Sequence, residues 1–106
     1  MRLRDLDPHF MRSVDDRTSQ IVETIDQAHG LRFECPVCGE HGIICWSRTA
    51  GTPDDRDPGP GRWRLVGTSL DDLSLMEEPG ASRSVLLTGG CKAHFFVTNG
   101  EIQVCC

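Results

Sequence analysis

The sequence predicts a small α+β domain: an antiparallel β-sheet pinned by a metal and preceded by one N-terminal helix. Three observations predict it. Two turn-flanked pairs, Cys35-Pro36-Val37-Cys38-Gly39 and Cys91-Lys92-Ala93-His94, stand far apart in the chain and offer the four N and S donors of a tetrahedral site. Asn99-Gly100 divides two alternating apolar runs, the signature of a two-residue type I′ hairpin. Between residues 14 and 29, Val14, Ile21, Val22, Ile25 and Ala28 fall on one stripe at helical spacing. Together they outline a zinc-ribbon-like sheet with a helix laid over it.

Residues 1–12 are charged and aperiodic, an arm or a short helix. Ser13 is the expected N-cap of the helix over 14–29, with Asp16 three residues on as its capping-box partner and Gly30 as its stop. Its apolar face is expected to cover the sheet. Segment 1–30 thus reads as arm and helix and segment 31–106 as the β-domain, the two making one folding unit.

Leu31-Arg32-Phe33-Glu34 leads into the first Cys pair as a strand, and Gly42-Ile43-Ile44-Cys45-Trp46 leaves it as another. Residues 49–61 hold three Pro, three Gly and three Asp, the composition of a mobile loop. Strands resume at Arg62–Val66, Leu73–Leu75 and Ser84–Leu87. The last two flank the turn-rich Glu77-Glu78-Pro79-Gly80.

The Asn99-Gly100 turn sets a register: Thr98 opposite Glu101, Val97 opposite Ile102, Phe96 opposite Gln103, Phe95 opposite Val104 and His94 opposite Cys105. Period two then places Phe95, Val97, Ile102 and Val104 on one face, and His94, Phe96 and Thr98 on the other.

At 106 residues, 38% of them hydrophobic and none Tyr, the chain makes one domain with a thin core, which a metal cross-link would reinforce. A net charge of -5 speaks against nucleic acid, which attracts basic patches. The N terminus, Met1-Arg2-Leu3-Arg4-Asp5, is charged, and no run is long enough to cross a membrane. The expected compartment is the cytoplasm, where paired Cys read as metal ligands rather than disulfides.

The expected ligands are Cys35, Cys38, Cys91 and His94, holding one Zn²⁺ per chain. Cys105, opposite His94, is the first alternative for the fourth position. His41, three after Cys38, is the second. Cys45 reads as a buried core residue and Cys106 as a free terminal thiol. His9 and His29 read as surface residues, and Trp46 and Trp63 as core. Arg62 and Arg64 around Trp63 make a small stacking patch. Asp71-Asp72 and Glu77-Glu78 read as solvated acids. No nucleophile–base arrangement and no phosphate loop is present, so no catalytic residue is assigned.

From Phe33 the order is Phe-x-Cys-Pro-x-Cys-Gly, then Gly-Cys-x-x-His-Phe-Phe-Val, then Asn-Gly-x-Ile-x-x-Cys. This resembles an uncharacterised family of small zinc-ribbon-like proteins of bacteria and their phages. The matching positions are Cys35, Cys38, Cys91, His94, Phe95, Phe96, Val97, Asn99, Gly100, Ile102 and Cys105, within residues 33–105. The loop 49–61 and the Glu77–Gly80 stretch depart from the family as insertions. The resemblance implies a zinc-binding β-domain. Some relatives sit beside bacterial ubiquitin-like conjugation genes and others in phage genomes, which implies an accessory, protein-binding role.

The function expected is therefore a zinc-stabilised, non-catalytic protein-interaction or assembly module, for example a phage structural or accessory protein in the host cytoplasm or the virion. Its working surface is expected on the helix, the arm or the loop 49–61. A nucleic-acid-binding zinc ribbon and an accessory protein of a ubiquitin-like conjugation system are the alternatives. A zinc hydrolase ranks last, because four protein ligands leave no open position for water.

Overall fold

The computed structural model describes residues 1–15, 17–53, 55–57, 61–78, 83–87 and 91–104, and among these it is mostly antiparallel β-structure. The strands β1 (His9–Ser13), β2 (Ser19–Val22), β3 (Gly30–Glu34) and β4 (Gly42–Trp46) form one sheet in the order β2-β1-β3-β4. β5 (Trp63–Val66) pairs with β6 (Ser74–Glu77), and β7 (Val85–Leu86), β8 (His94–Thr98) and β9 (Glu101–Val104) make a third sheet.

The inner faces of all three sheets meet in one hydrophobic core. Phe10, Leu31, Phe33 and Ile43 come from the four-stranded sheet, Trp63 and Leu75 from the pair, and Val85, Phe95, Val97 and Ile102 from the third. Alternation supplies these residues: Phe95, Val97 and Ile102 are buried as period two requires. Val104 departs from the expectation. It is largely exposed near the end of the hairpin, where little is left to cover it.

The predicted helix over 14–29 is absent, and no α-helix occurs among the described residues. In its place β1 turns into β2. The Asp15 carboxylate accepts the backbone N–H groups of Arg17 and Thr18 at 2.9 and 2.8 Å, a side-chain-built turn that competes with helix. The apolar stripe is also incomplete, since Arg17 and Thr18 occupy the helical turn between Val14 and Ile21. Thr18, Ile21, Val22, Thr24 and Ile25 are all β-branched, which favours strand. Ser13 is the last residue of β1 and caps nothing, and Asp16 lies outside the described residues. Gly30 begins β3 instead of ending a helix. A Cβ there would meet the Trp46 ring at 2.6 Å and the Cys45 carbonyl at 2.8 Å, so only glycine lets β3 and β4 close.

The segment read as an arm belongs to the core. A 3-10 turn over Leu3–Leu6 buries both leucines. The Leu3 amide donates to the Gly100 carbonyl at 2.8 Å, and the Ile102 amide to that of Met1 at 2.7 Å, which fastens the first residues to the β8–β9 turn. Arg4 and Asp71 form a 2.7 Å ion pair over the same junction.

The loop 49–61 was expected to be mobile, but its described residues are tied down. The Arg62 guanidinium is 1% exposed and donates to the carbonyls of Pro53, Arg56 and Gly61. Trp46 Nε1 donates to the Asp57 carbonyl at 2.8 Å, and Thr52 Oγ1 to that of His29 at 2.8 Å. Buried side chains here satisfy backbone oxygens that would otherwise need water.

The β8–β9 hairpin has the register read from the sequence, from Thr98–Glu101 to Phe95–Val104. Asn99 and Gly100 have φ of 49° and 73°, the left-handed pair of a type I′ turn. The expected partner of His94, Cys105, lies outside the described residues.

Candidate metal centre

β3 and β4 are in register up to Glu34 opposite Gly42, so residues 35–41 form the tip of one hairpin. Two backbone bonds shape that tip. The Gly39 amide donates to the Cys35 carbonyl at 3.0 Å, and the Cys35 amide to that of His41 at 2.9 Å. Gly39 takes φ of 68°, which a side chain would resist. This fold-back carries three donors, from Cys35, Cys38 and His41. The fourth arrives from the segment before β8, where Lys92 at φ 54° turns the chain and the Leu87 amide donates to the Ala93 carbonyl at 2.9 Å.

The result is a group of four potential ligand atoms, from Cys35, Cys38, His41 and Cys91, all within 4.8 Å of one another. Cys35 Sγ stands 3.5 Å from Cys91 Sγ, and Cys38 Sγ stands 3.3 Å from His41 Nδ1. Zinc at about 2.3 Å from sulfur and about 2.0 Å from nitrogen implies tetrahedral edges of roughly 3.5–3.8 Å. These two edges lie close to the spacing that a tetrahedral ion demands, the others are within 4.8 Å, and the group could hold a metal. Cys35 is buried, Cys91 half-buried and Cys38 exposed.

The electrostatics favour a thiolate at Cys35. Burial works against it, but the backbone amides of Cys38 and Val37, with help from the Cys91 and Cys38 side chains, outweigh burial and hold its thiol below the ordinary value. Burial, followed by the contact with Cys35, pushes the Cys91 thiol up. Metal-binding cysteines ligate as thiolates, and Cys35 has the amides to stabilise one.

Of the four residues read from the sequence as ligands, the structure brings Cys35, Cys38 and Cys91 together. The fourth member of the group is His41, not His94. Alternation explains the exchange. Ala93, Phe95 and Val97 are buried on one face of the β8 segment, so Cys91 shares their parity, whereas His94 and Phe96 share the opposite one. The His94 ring accordingly packs beside that of Phe96, with centroids 6.2 Å apart, and His94 lies opposite Leu86 on β7. The Cys-x-x-Cys-x-x-His spacing that marks His41 was visible in the chain. Cys105 and Cys106 lie outside the described residues. Cys45 is fully buried on β4, away from the group, and burial pushes its thiol up.

The weaker candidates have structural roles. Arg62 and Trp63 do not form a stacking patch: both are buried, and Trp63 Nε1 donates to the Arg83 carbonyl at 3.0 Å. Asp71 pairs with Arg4, and Asp72 ties the turn at Thr68 and Ser69. Glu78, read as solvated, is 3% exposed and accepts the amides of Arg48 and Thr49, each at 3.0 Å. His29 is half-buried rather than superficial, and its Nδ1 accepts the Ser13 amide at 3.1 Å.

Comparison with protein-family models, curated proteins and solved structures finds no match to this chain. No helix among the described residues is long and apolar enough to cross a membrane.

Proposed function

We propose that Cys35, Cys38, His41 and Cys91 hold one zinc ion, and that the chain is a zinc-stabilised, non-catalytic, zinc-ribbon-like protein-interaction module. The observation that carries the reading is the four-donor group itself, with its edges of 3.3 and 3.5 Å. Three soft thiolates and one imidazole suit zinc better than the oxygen-preferring magnesium or calcium. Four protein donors fill a tetrahedron and leave no position at which zinc could activate water, which supports a structural role over a hydrolytic one. The ion would join the β3–β4 tip to the start of β8, two pieces of chain 56 residues apart. Thiols that must stay reduced to bind metal fit a cytoplasmic setting.

Two expected working surfaces are no longer available, since the helix is replaced by a hairpin and the arm is packed into the core. What supports an interaction role now is the β1–β2 hairpin. β2 is an outer strand of its sheet; the hairpin exposes Ile21 on β2 at 60% and Val14, just past the end of β1, at 57%. Outer strands with unpaired backbone groups are natural places for a partner to add. The inward-facing Arg62 removes one of the few basic side chains that a nucleic-acid reading could call on.

Elemental analysis of protein purified without chelator tests the reading. One zinc per chain is expected, and protein lacking zinc would overturn it. A mobility-shift assay with single- and double-stranded nucleic acid at low salt is expected to show no complex.

A further inference from the structure

We infer that Cys35 and Cys91 form a reversible disulfide on exposure to peroxide, and that this bond replaces the metal as the cross-link between the β3–β4 tip and β8. The inference rests on the zinc-site reading above and adds its regulation.

Geometry selects the pair. Cys35 Sγ and Cys91 Sγ are 3.5 Å apart, and a bond of about 2.05 Å needs only a small approach by side chains that already face each other. Cys38 Sγ also lies within 4.8 Å of both sulfurs and touches the Cys35 side chain, but it stands against His41 Nδ1 at 3.3 Å. Topology separates the alternatives further. A Cys35–Cys38 bond would close only the knuckle and leave the two sheets unlinked. A Cys35–Cys91 bond spans 56 residues, and cross-links that close long loops constrain the unfolded chain most. It also joins the two segments that the zinc joins, so the packing of Phe33 on Phe95 between them need not change. Cys45 is fully buried and outside the group, so it does not compete.

Access orders the steps. Cys91 is half-buried and Cys35 buried, so of this pair Cys91 is the one that peroxide meets first; Cys38 is exposed, and peptide mapping distinguishes attack there. The Cys91 thiolate attacks one oxygen of hydrogen peroxide, the O–O bond breaks and hydroxide leaves, giving a sulfenic acid. The Cys35 thiolate then attacks that sulfur, the S–O bond breaks and a second hydroxide leaves. Two electrons from two thiolates reduce one peroxide. The ion loses two of its four donors and is released. A dithiol reductant returns the two electrons and restores the ligands.

The test titrates hydrogen peroxide into full-length zinc-loaded protein, and in parallel into metal-free reduced protein. A chromogenic chelator reads zinc release, and non-reducing peptide mapping reads the linkage. The expected result is one zinc released per disulfide, a Cys35–Cys91 linkage with Cys38 still open to alkylation, and full zinc re-uptake after reduction. The oxidised protein should keep a cooperative urea transition that chelator-treated reduced protein loses, and Cys91→Ser should abolish the linkage. A Cys35–Cys38 linkage, irreversible sulfinic acid, or no disulfide in either arm would overturn the proposal while leaving the zinc reading standing. Purified protein without zinc whose metal-free arm still yields the Cys35–Cys91 linkage would overturn the zinc reading instead.

Discussion

Phe33 and Phe95 meet edge to face, with ring centroids 5.8 Å apart and planes at 79°. Phe33 lies two residues before Cys35 and Phe95 four after Cys91, so this one contact sets how the two ligand-bearing segments approach. Both rings are fully buried. Removing either opens a cavity, and Phe→Ala substitutions in cores cost about 3–5 kcal/mol. We predict that Phe95→Ala lowers stability by this amount in urea denaturation, and also speeds zinc loss to a competing chelator. A milder Phe95→Leu should recover most of both. Unchanged chelator kinetics in Phe95→Ala would show that the contact does not govern the site.

That His41 rather than His94 groups with the three cysteines has a direct consequence for the proposed site. His41→Ala should weaken zinc binding by more than the roughly 10–100-fold that loss of a supporting hydrogen bond costs, while His94→Ala should leave it unchanged. Cys38→Ser should behave as His41→Ala does, and Cys45→Ala should keep its metal. Chelator competition on the four variants checks the assignment. Zinc loss in His94→Ala alone would reverse it.

Much of the β-structure was legible in the chain, and the failures have two causes. The Asn99-Gly100 hairpin could be read to the residue because a two-residue turn and period-two alternation both constrain it locally. Cys35, Cys38 and Cys91 could be read for the same reason, each beside a turn. The expected helix over 14–29 does not form because the β-branched content and the Asp15 turn outweigh its hydrophobic stripe. His94 stands outside the donor group because strand parity, itself legible, sets it on the face opposite Cys91, whatever its spacing from Cys91 suggests. The buried roles of Arg62 and Glu78 were not legible at all. Each is fixed by backbone groups brought near only by the folded chain.

Glu78 offers a test of that last class. Its buried carboxylate accepts two backbone amides, from Arg48 and Thr49. Leaving buried donors unsatisfied costs about 1–3 kcal/mol per group. Glu78→Ala should therefore destabilise by at least about 2 kcal/mol in chemical denaturation, whereas Glu77→Ala, at an exposed neighbour, should stay within about 0.5 kcal/mol. Equal effects would show that the Glu78 bonds contribute nothing in solution.

Gly100 is constrained twice. Its φ of 73° costs an L-residue roughly 1–2 kcal/mol, and a Cβ there would run into the Asp71 carbonyl. That contact sits where the Gly100 amide donates to Leu73 and its carbonyl accepts from Leu3, both at 2.8 Å. Gly100→Ala should exceed the simple left-handed cost and lower the melting temperature, because the N terminus loses its anchor. Asn99→Gly, which relieves rather than adds strain, should be near neutral by the same melt.

His29 should impose a pH limit. Burial, then the nearby Arg12 charge, hold its pKa below the ordinary 6.5, and Nδ1 accepts the Ser13 amide at 3.1 Å. A proton on Nδ1 would set two hydrogens face to face, so the folded state keeps the ring neutral. For a base with a lowered folded pKa the unfolded chain binds the proton more readily. The contribution is therefore fully present above about pH 6.5, and is lost as pH falls from there through the lowered folded value. An NMR titration should give His29 a pKa below that of the unfolded chain, and the Ser13 amide should exchange faster as the ring protonates. A His29 pKa at or above 6.5 would remove the effect. A His29→Gln variant whose side-chain oxygen takes over the Ser13 amide should flatten the pH dependence between the two values.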